Sequence, residues 1–135
     1  MLVIKFTVKT SNRTEMINIT SQVQELLRDC QFTHGVVTVF VPHTTAAVTI
    51  NENADPDVRR DMLMEINKIV PFEDGYHHYE GNSAAHIKAS LMGNSEQIIV
   101  HNGQLQLGTW QGIYFCEFDG PRTRKVWVQC LGVIK

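Results

Sequence analysis

Residues 36–42 read VVTVFVP, and this run decides the fold. Valine, threonine and phenylalanine suit a pleated strand, and six positions without a charge predict a central strand buried on both faces. Pro42 has no amide hydrogen for a ladder and ends it. A central strand needs partners on each side, so the flanking chain must supply a sheet. Residues 2–9 (LVIKFTVK) alternate, and residues 15–19 resume after the polar turn Ser11, Asn12, Arg13, which predicts a hairpin. Ser21, with Gln24 three residues on, predicts a capping box for a helix whose Val23, Leu26, Leu27 and Cys30 share one face.

Beyond Pro42, residues 46–50 predict another strand. Asp55 and Pro56 start a second helix, with Val58, Met62, Ile66 and Ile69 as its apolar stripe before Pro71. A short third helix is predicted from Ser83 to a terminating Gly93. The last third reads as β. Residues 97–107 (QIIVHNGQLQL) carry Asn102-Gly103, which suits a type I′ turn. Residues 110–118 and 123–131 predict a second hairpin around Asp119, Gly120 and Pro121. About eight strands and two or three helices in 135 residues give one α+β domain, residues 1–135, with a largely antiparallel sheet or sandwich partly covered by helices.

The composition narrows function. A net charge of −2 from 14 acidic and 12 basic residues, without a block of like charge, shows no nucleic-acid footprint and no polybasic membrane surface. No apolar run reaches about 18 residues and no signal-like segment opens the chain, which predicts a cytoplasmic protein without a membrane span. Cys30, Cys116 and Cys130 have no CxxC spacing and read as reduced and buried.

Chemistry concentrates in GYHHYEGNSAAH, residues 75–86, which holds three of the six histidines. Core packing does not call for adjacent imidazoles, a carboxylate and an asparagine in one segment, because each is costly to bury unpaired. PHTTA at 42–46 lies just before the polar block NENADP at 51–56. The expectation is that His43 meets His78 and His86 in space. Three imidazoles can hold a catalytic zinc and leave a fourth position open, although these spacings match no fixed ligand motif and each histidine alone also suits a hydrogen-bonded structural role. In extended backbone His77 points away from His78. His34 and His101 read as surface residues.

Glu117 shares a strand face with Ile113 and Phe115, and a carboxylate there needs a partner, for which Arg122 and Arg124 are candidates. Glu117 or Glu80 is the expected acid/base and Arg122 the expected phosphate anchor. Asn51, Asn53, Asp55, Asn82, Trp110 and Arg124 are the expected substrate contacts. Asp55 also suits a helix cap and Trp110 the core. The glycines of GTWQG, 108–112, suggest a bulge or a close backbone approach.

Three blocks, HTTAAVTINENADPDVRRD (43–61), YHHYEGNSAAHIKASLMG (76–93) and GQLQLGTWQGIYFCEFDGPRTR (103–124), closely resemble the YjbQ-like family, also labelled secondary thiamine-phosphate synthase. The resemblance implies a small α+β fold assembled as a homotrimer, with histidines at the positions of His43, His78 and His86. It implies an activity that joins a pyrimidine pyrophosphate to a thiazole phosphate and releases pyrophosphate. A divalent metal would serve that reaction: zinc by the histidine donors, or magnesium accompanying the phosphorylated substrate. The alternatives are metal-assisted hydrolysis of a small phosphorylated metabolite, and a non-catalytic trimer that binds a metabolite.

Overall fold

The chain runs β1 (Leu2–Lys9), β2 (Glu15–Asn18), α1 (Thr20–Asp29), β3 (Phe32–Phe40), β4 (Ala46–Glu52), α2 (Pro56–Ile69), α3 (Ser83–Met92), β5 (Ser95–His101), β6 (Gln104–Leu105), β7 (Gln111–Glu117) and β8 (Thr123–Ile134) in the computed structural model, which describes residues 2–135. One sheet has the order β1-β8-β3-β5-β6 and the other β2-β7-β4, with every pair antiparallel. β3 is central as expected, with Val37 opposite Cys130 on one side and Ile98 on the other.

Burial on both faces belongs to a different strand. β3 buries Val37 and Val39, while Val36, Thr38 and Phe40 on its other face stay half-buried. β7 is the strand enclosed on both sides. Ile113 and Phe115 enter the main core, which also holds Val37, Val39, Val128 and Leu27 of α1. Tyr114 and Cys116 enter a second core with Ala85 and Ala89 of α3, against which Met62 and Ile66 of α2 pack. The layers are therefore sheet, core, sheet, core and helices. α2 itself buries no residue fully, and Ile69, read as part of its stripe, is 67% exposed.

Two of the three expected hairpins do not form. β1 pairs with β8 and β2 with β7, so the turns at 10–14 and 118–122 carry the chain from one sheet to the other. A turn fixes a reversal of direction without choosing the partner strand. The two crossings lie side by side, joined by Thr10 N to Arg122 O at 2.9 Å and Gly120 N to Arg13 O at 3.0 Å. Only the Asn102-Gly103 hairpin forms as read, with φ of 50° and 74°. The capping box is also absent: Ile19 occupies the cap position of α1, and Gln24 accepts from Leu105 N and donates to Gly103 O. Asp55 does cap α2, accepting from Asp57 N at 2.9 Å. All three cysteines are free, with Cys30 half-buried and the other two buried.

At the crossings a buried ion pair joins the two sheets. Arg124 of β8 donates from Nε to Glu117 Oε1 and Oε2 of β7 at 2.9 and 3.1 Å, and from Nη2 to Glu117 Oε2. Thr10 Oγ1 donates to Glu117 Oε1 at 2.8 Å, and Arg124 Nη2 donates to Thr45 Oγ1 at 2.8 Å. Burial pushes the Glu117 carboxyl up, but the hydrogen bonds from Arg124, Thr10 and the Asp119 amide outweigh it and hold the group below its ordinary value.

Replacing one partner of such a pair strands the other charge, so Glu117→Gln should lose about 3–5 kcal/mol of unfolding free energy at pH 7, measured with urea. A carboxyl with a lowered folded pKa contributes stability that is complete above its ordinary 4.5 and is lost as pH falls below that value. The variant should lack this part of the acid slope. Unchanged stability would mean that the pair does not hold the sheets together.

Candidate functional site

Four separate segments converge beside this pair. Two adjoining cavities, of about 430 and 390 Å³, share His43, Thr44 and His86 on their walls. The first is completed by Ala89, Ser90 and Asn94 and the second by Glu80, Asn82, Asp119, Arg122 and Arg124. Pro42 ends the ladder, and Val41 N donates to Asn94 O at 2.8 Å, so the β3–β4 connection turns its histidine into the cleft. His86 lies in the first turn of α3, which packs on β4 through Ala85 and Ala89.

His43 has a defined role for one nitrogen. Its Nε2 accepts the Lys125 amide at 2.9 Å, which puts the proton of the neutral ring on Nδ1. Burial, followed by the nearby Arg124 charge, lowers its pKa below 6.5, so the ring is neutral at pH 7. His78 and His86 approach edge to face with ring centroids 5.8 Å apart. His78 Nε2 also lies 3.7 Å from Glu80 Oε2, and both side chains are open to solvent. His77 is exposed, and His34 and His101 meet each other at 5.0 Å on the surface, in no contact with this cleft.

The expected acid/base and anion groups divide in two. Glu117 is fully buried and fully bonded, which makes it the positioning partner of Arg124 and removes it as a proton carrier. Arg122 is half-exposed: its Nε donates to Asp119 O and its Nη2 to Asp119 Oδ2, both at 2.8 Å. Asn82 Nδ2 donates to the same Asp119 oxygen at 2.9 Å, and Asn82 Oδ1 is buried without a partner.

Asn51, Asn53, Asp55 and Trp110 lie elsewhere. Asn51 lies near the end of β4 and the others beyond it, at the far end of a seven-residue strand that spans roughly 20 Å from the His43 end. There Asn51 Oδ1 accepts from Glu52 N, Asn53 Nδ2 donates to Gln111 O, Asp55 caps α2, and Trp110 is 63% exposed instead of core. The closeness read at GTWQG is between Gly112 and Asn53, whose Cβ would stand 2.8 Å from a Cβ added to the glycine. Thr10, Thr45 and Lys88 carried no signal strong enough to single them out, although Thr45 stands inside the quoted HTTA.

Among the described residues, no three of His, Cys, Asp and Glu stand close enough to hold a metal ion as placed. The donor chemistry nevertheless fits one. His78 and His86 face each other, and His43 could add its imidazole if the ring turned away from the Lys125 amide. The charge count points the same way: Arg122 pairs with Asp119 and Arg124 with Glu117, leaving Glu80 as the unbalanced charge beside a neutral His43.

The family model described as "UPF0047 protein YjbQ-like" matches residues 4–133. The chain is 53% identical over 126 residues to UPF0047 protein YugU of Bacillus subtilis, covering 93% of this chain and 96% of that one. It is 44% identical over 131 residues to UPF0047 protein MJ1081 of Methanocaldococcus jannaschii, covering 97% and 95%. Among solved structures, an uncharacterized conserved protein of the yjbq/upf0047 family from Clostridium acetobutylicum matches with a TM-score of 0.93 at 57% identity, covering 95% of this chain and 99% of that one. A hypothetical protein from Aeropyrum pernix matches with a TM-score of 0.94 at 39% identity, covering 98% and 100%. With the same layered α+β fold and a match along almost its whole length, this chain belongs to the YjbQ-like UPF0047 family.

Proposed function

We propose that the chain is a cytoplasmic, homotrimeric enzyme acting on a small phosphorylated metabolite in the cleft shared by His43 and His86. The observation that carries this reading is the convergence of His43, His86, Glu80, Asn82 and Arg122 from four chain segments on one cavity wall. Arg122 offers a phosphate the guanidinium edge not occupied by Asp119. Glu80, open to solvent beside His78, is the acid/base. Glu117 acts through Arg124.

The donor set suits zinc, held by His78 and His86 and completed by His43. Such an ion would neutralise phosphate charge and polarise a phosphoryl oxygen. The joining reaction implied by the family resemblance, with pyrophosphate as leaving group, belongs to the class this cleft would serve, as does hydrolysis of a phosphorylated metabolite. One observation favours binding without turnover: no hydrogen bond among the described residues joins a serine or cysteine to a histidine, so no activated nucleophile is assembled.

Metal content and pyrophosphate binding by calorimetry test the site. Purified without a histidine tag, the protein should carry about one zinc per chain, and His86→Ala should lose it. Arg122→Ala should weaken pyrophosphate binding about ten- to a hundredfold, the range expected for a charge-assisted hydrogen bond. A parent protein that takes up neither zinc nor pyrophosphate would overturn the proposal. Tight pyrophosphate binding with no turnover of any phosphorylated substrate, in parent and Glu80→Gln alike, would favour the receptor reading.

The homotrimer is supported by the uncovered face of the five-stranded sheet, where Ile99 and Leu131 are each 66% exposed and Val133 is 56% exposed. Light scattering should return three times the 15.3 kDa chain mass, reduced by Leu131→Asp. A parent that scatters as a single chain would exclude the trimer.

A further inference from the structure

Lys88 lies on α3 with 0% exposure, and its Nζ has no hydrogen-bond partner. A buried, unpartnered ammonium is destabilising, and an apolar side chain of the same length would fill the space at lower cost. Burial followed by the Arg13 charge lowers its pKa to about 8, the mark of an environment that disfavours the cation. What the ammonium does contact is the ring of Phe72, at 3.7 Å from the centroid, while the guanidinium of Arg13 lies 3.8 Å from the same centroid. One ring is thus held by two cations from two different segments.

Phe72 opens the stretch between α2 and α3, residues 70–82, which has no helix or strand and carries His78 and Glu80. Among the described residues, side-chain hydrogen bonds and ring contacts join this stretch to the body at three points: Phe72 to its two cations, His78 to His86, and Asn82 to Asp119. The first and last bracket the middle one. Lys88 is two residues from His86 on the same helix, and Arg13 accepts the Gly120 amide beside Asp119 and Arg122. The ring therefore links the three segments that carry His78, His86 and Arg122.

We propose that Lys88 and Arg13 are positioning residues that clamp Phe72 and thereby hold the His78-bearing segment against the cleft. The proposal rests on the cleft reading above for its meaning, since His78 matters only if the cleft works. It accounts for an ammonium placed where the core would be better served by an apolar group. Stability is given up at one residue and order is gained in a neighbouring segment.

The test separates these two effects. Lys88→Met keeps length and apolar bulk and removes the charge. Its unfolding midpoint should equal or exceed that of the parent, while native-state chymotrypsin cleavage at Tyr79, which is 94% exposed, should accelerate roughly three- to tenfold, the range of a partly desolvated cation–π contact. Nuclear Overhauser contacts between the His78 and His86 rings should weaken in parallel. Arg13→Gln, at an exposed position, gives a second variant that leaves the core intact and should accelerate the same cleavage. The clamp is overturned if Lys88→Met and Arg13→Gln are cut at the parent rate with ring contacts unchanged. It is equally overturned if Lys88→Met lowers the midpoint in proportion to its faster cleavage, which is the behaviour of an ordinary core residue. Neither readout uses substrate. Absent pyrophosphate and zinc binding in the parent would sink the cleft reading and leave the clamp standing.

Discussion

The contact between Glu117 and Arg124 is the constraint on which the other features depend. The two sheets of the sandwich share no ladder, and at this end the chain crosses between them at residues 10–14 and 118–122 and again through the β3–β4 connection at 41–45. Crossing segments leave polar backbone near the core, where it must be satisfied. The ion pair organises that end: Thr10 from the first crossing bonds Glu117, the Asp119 amide from the second bonds Glu117, and Thr45 from the β3–β4 connection bonds Arg124. A pair of apolar residues could stabilise the sheets as well or better. It could not fix three loops in one geometry. Because Thr45 is two residues from His43 and Asp119 holds both Arg122 and Asn82, the support of the sandwich is also the floor of the cleft.

Local signals in the sequence are legible where local chemistry decides the outcome. Asn102-Gly103 takes positive φ in any context, Asp55 with Pro56 starts a helix without help, and Gly93 ends one with φ of 94°. Partner choice is a different matter. The turn at Ser11, Asn12 and Arg13 reverses the chain whether β1 and β2 pair or not, and it is the distant β7 and β8 that claim them. The strand buried on both faces differs from the expected one for a related reason. VVTVFV is apolar throughout yet buries one face fully, because this chain covers the larger sheet on one side only. GIYFCEF, with a carboxylate in it, buries both faces because its Glu117 has Arg124.

The site was legible to the extent that residues with no structural use clustered in the sequence. The unusual composition of 75–86 and the histidine after Pro42 led to one cleft. Proximity along the chain misled for Asn51, Asn53 and Asp55, since a strand of seven residues carries the chain far from His43 before they appear. Lys88 gives no signal in the sequence because its neighbours Ala84, Ala85 and Ala89 describe a buried helix face, and a lysine on that face suggests an end reaching out to water. In the fold that route is closed by Phe72. The sequence holds the charge and the apolar face, but only the packing shows that they coincide.

The charge balance of the cleft then limits what it can do by itself. Each arginine on the wall arrives with its own carboxylate, and a cation already paired attracts a phosphate less than a free one, because the incoming anion also meets the partner's repulsion. His43 does not make up the difference, since burial, followed by Arg124, keeps it neutral. Its Nδ1 hydrogen can donate a bond but supplies no net charge. A phosphorylated substrate entering this wall therefore brings negative charge to a surface whose fixed charges already sum to the one carboxylate of Glu80. The two imidazoles that face each other across 5.8 Å, His78 and His86, are the donors that the proposed divalent ion would use to bring compensating positive charge. Of the two, His86 is fixed in the first turn of α3, and His78 is carried on a stretch without helix or strand.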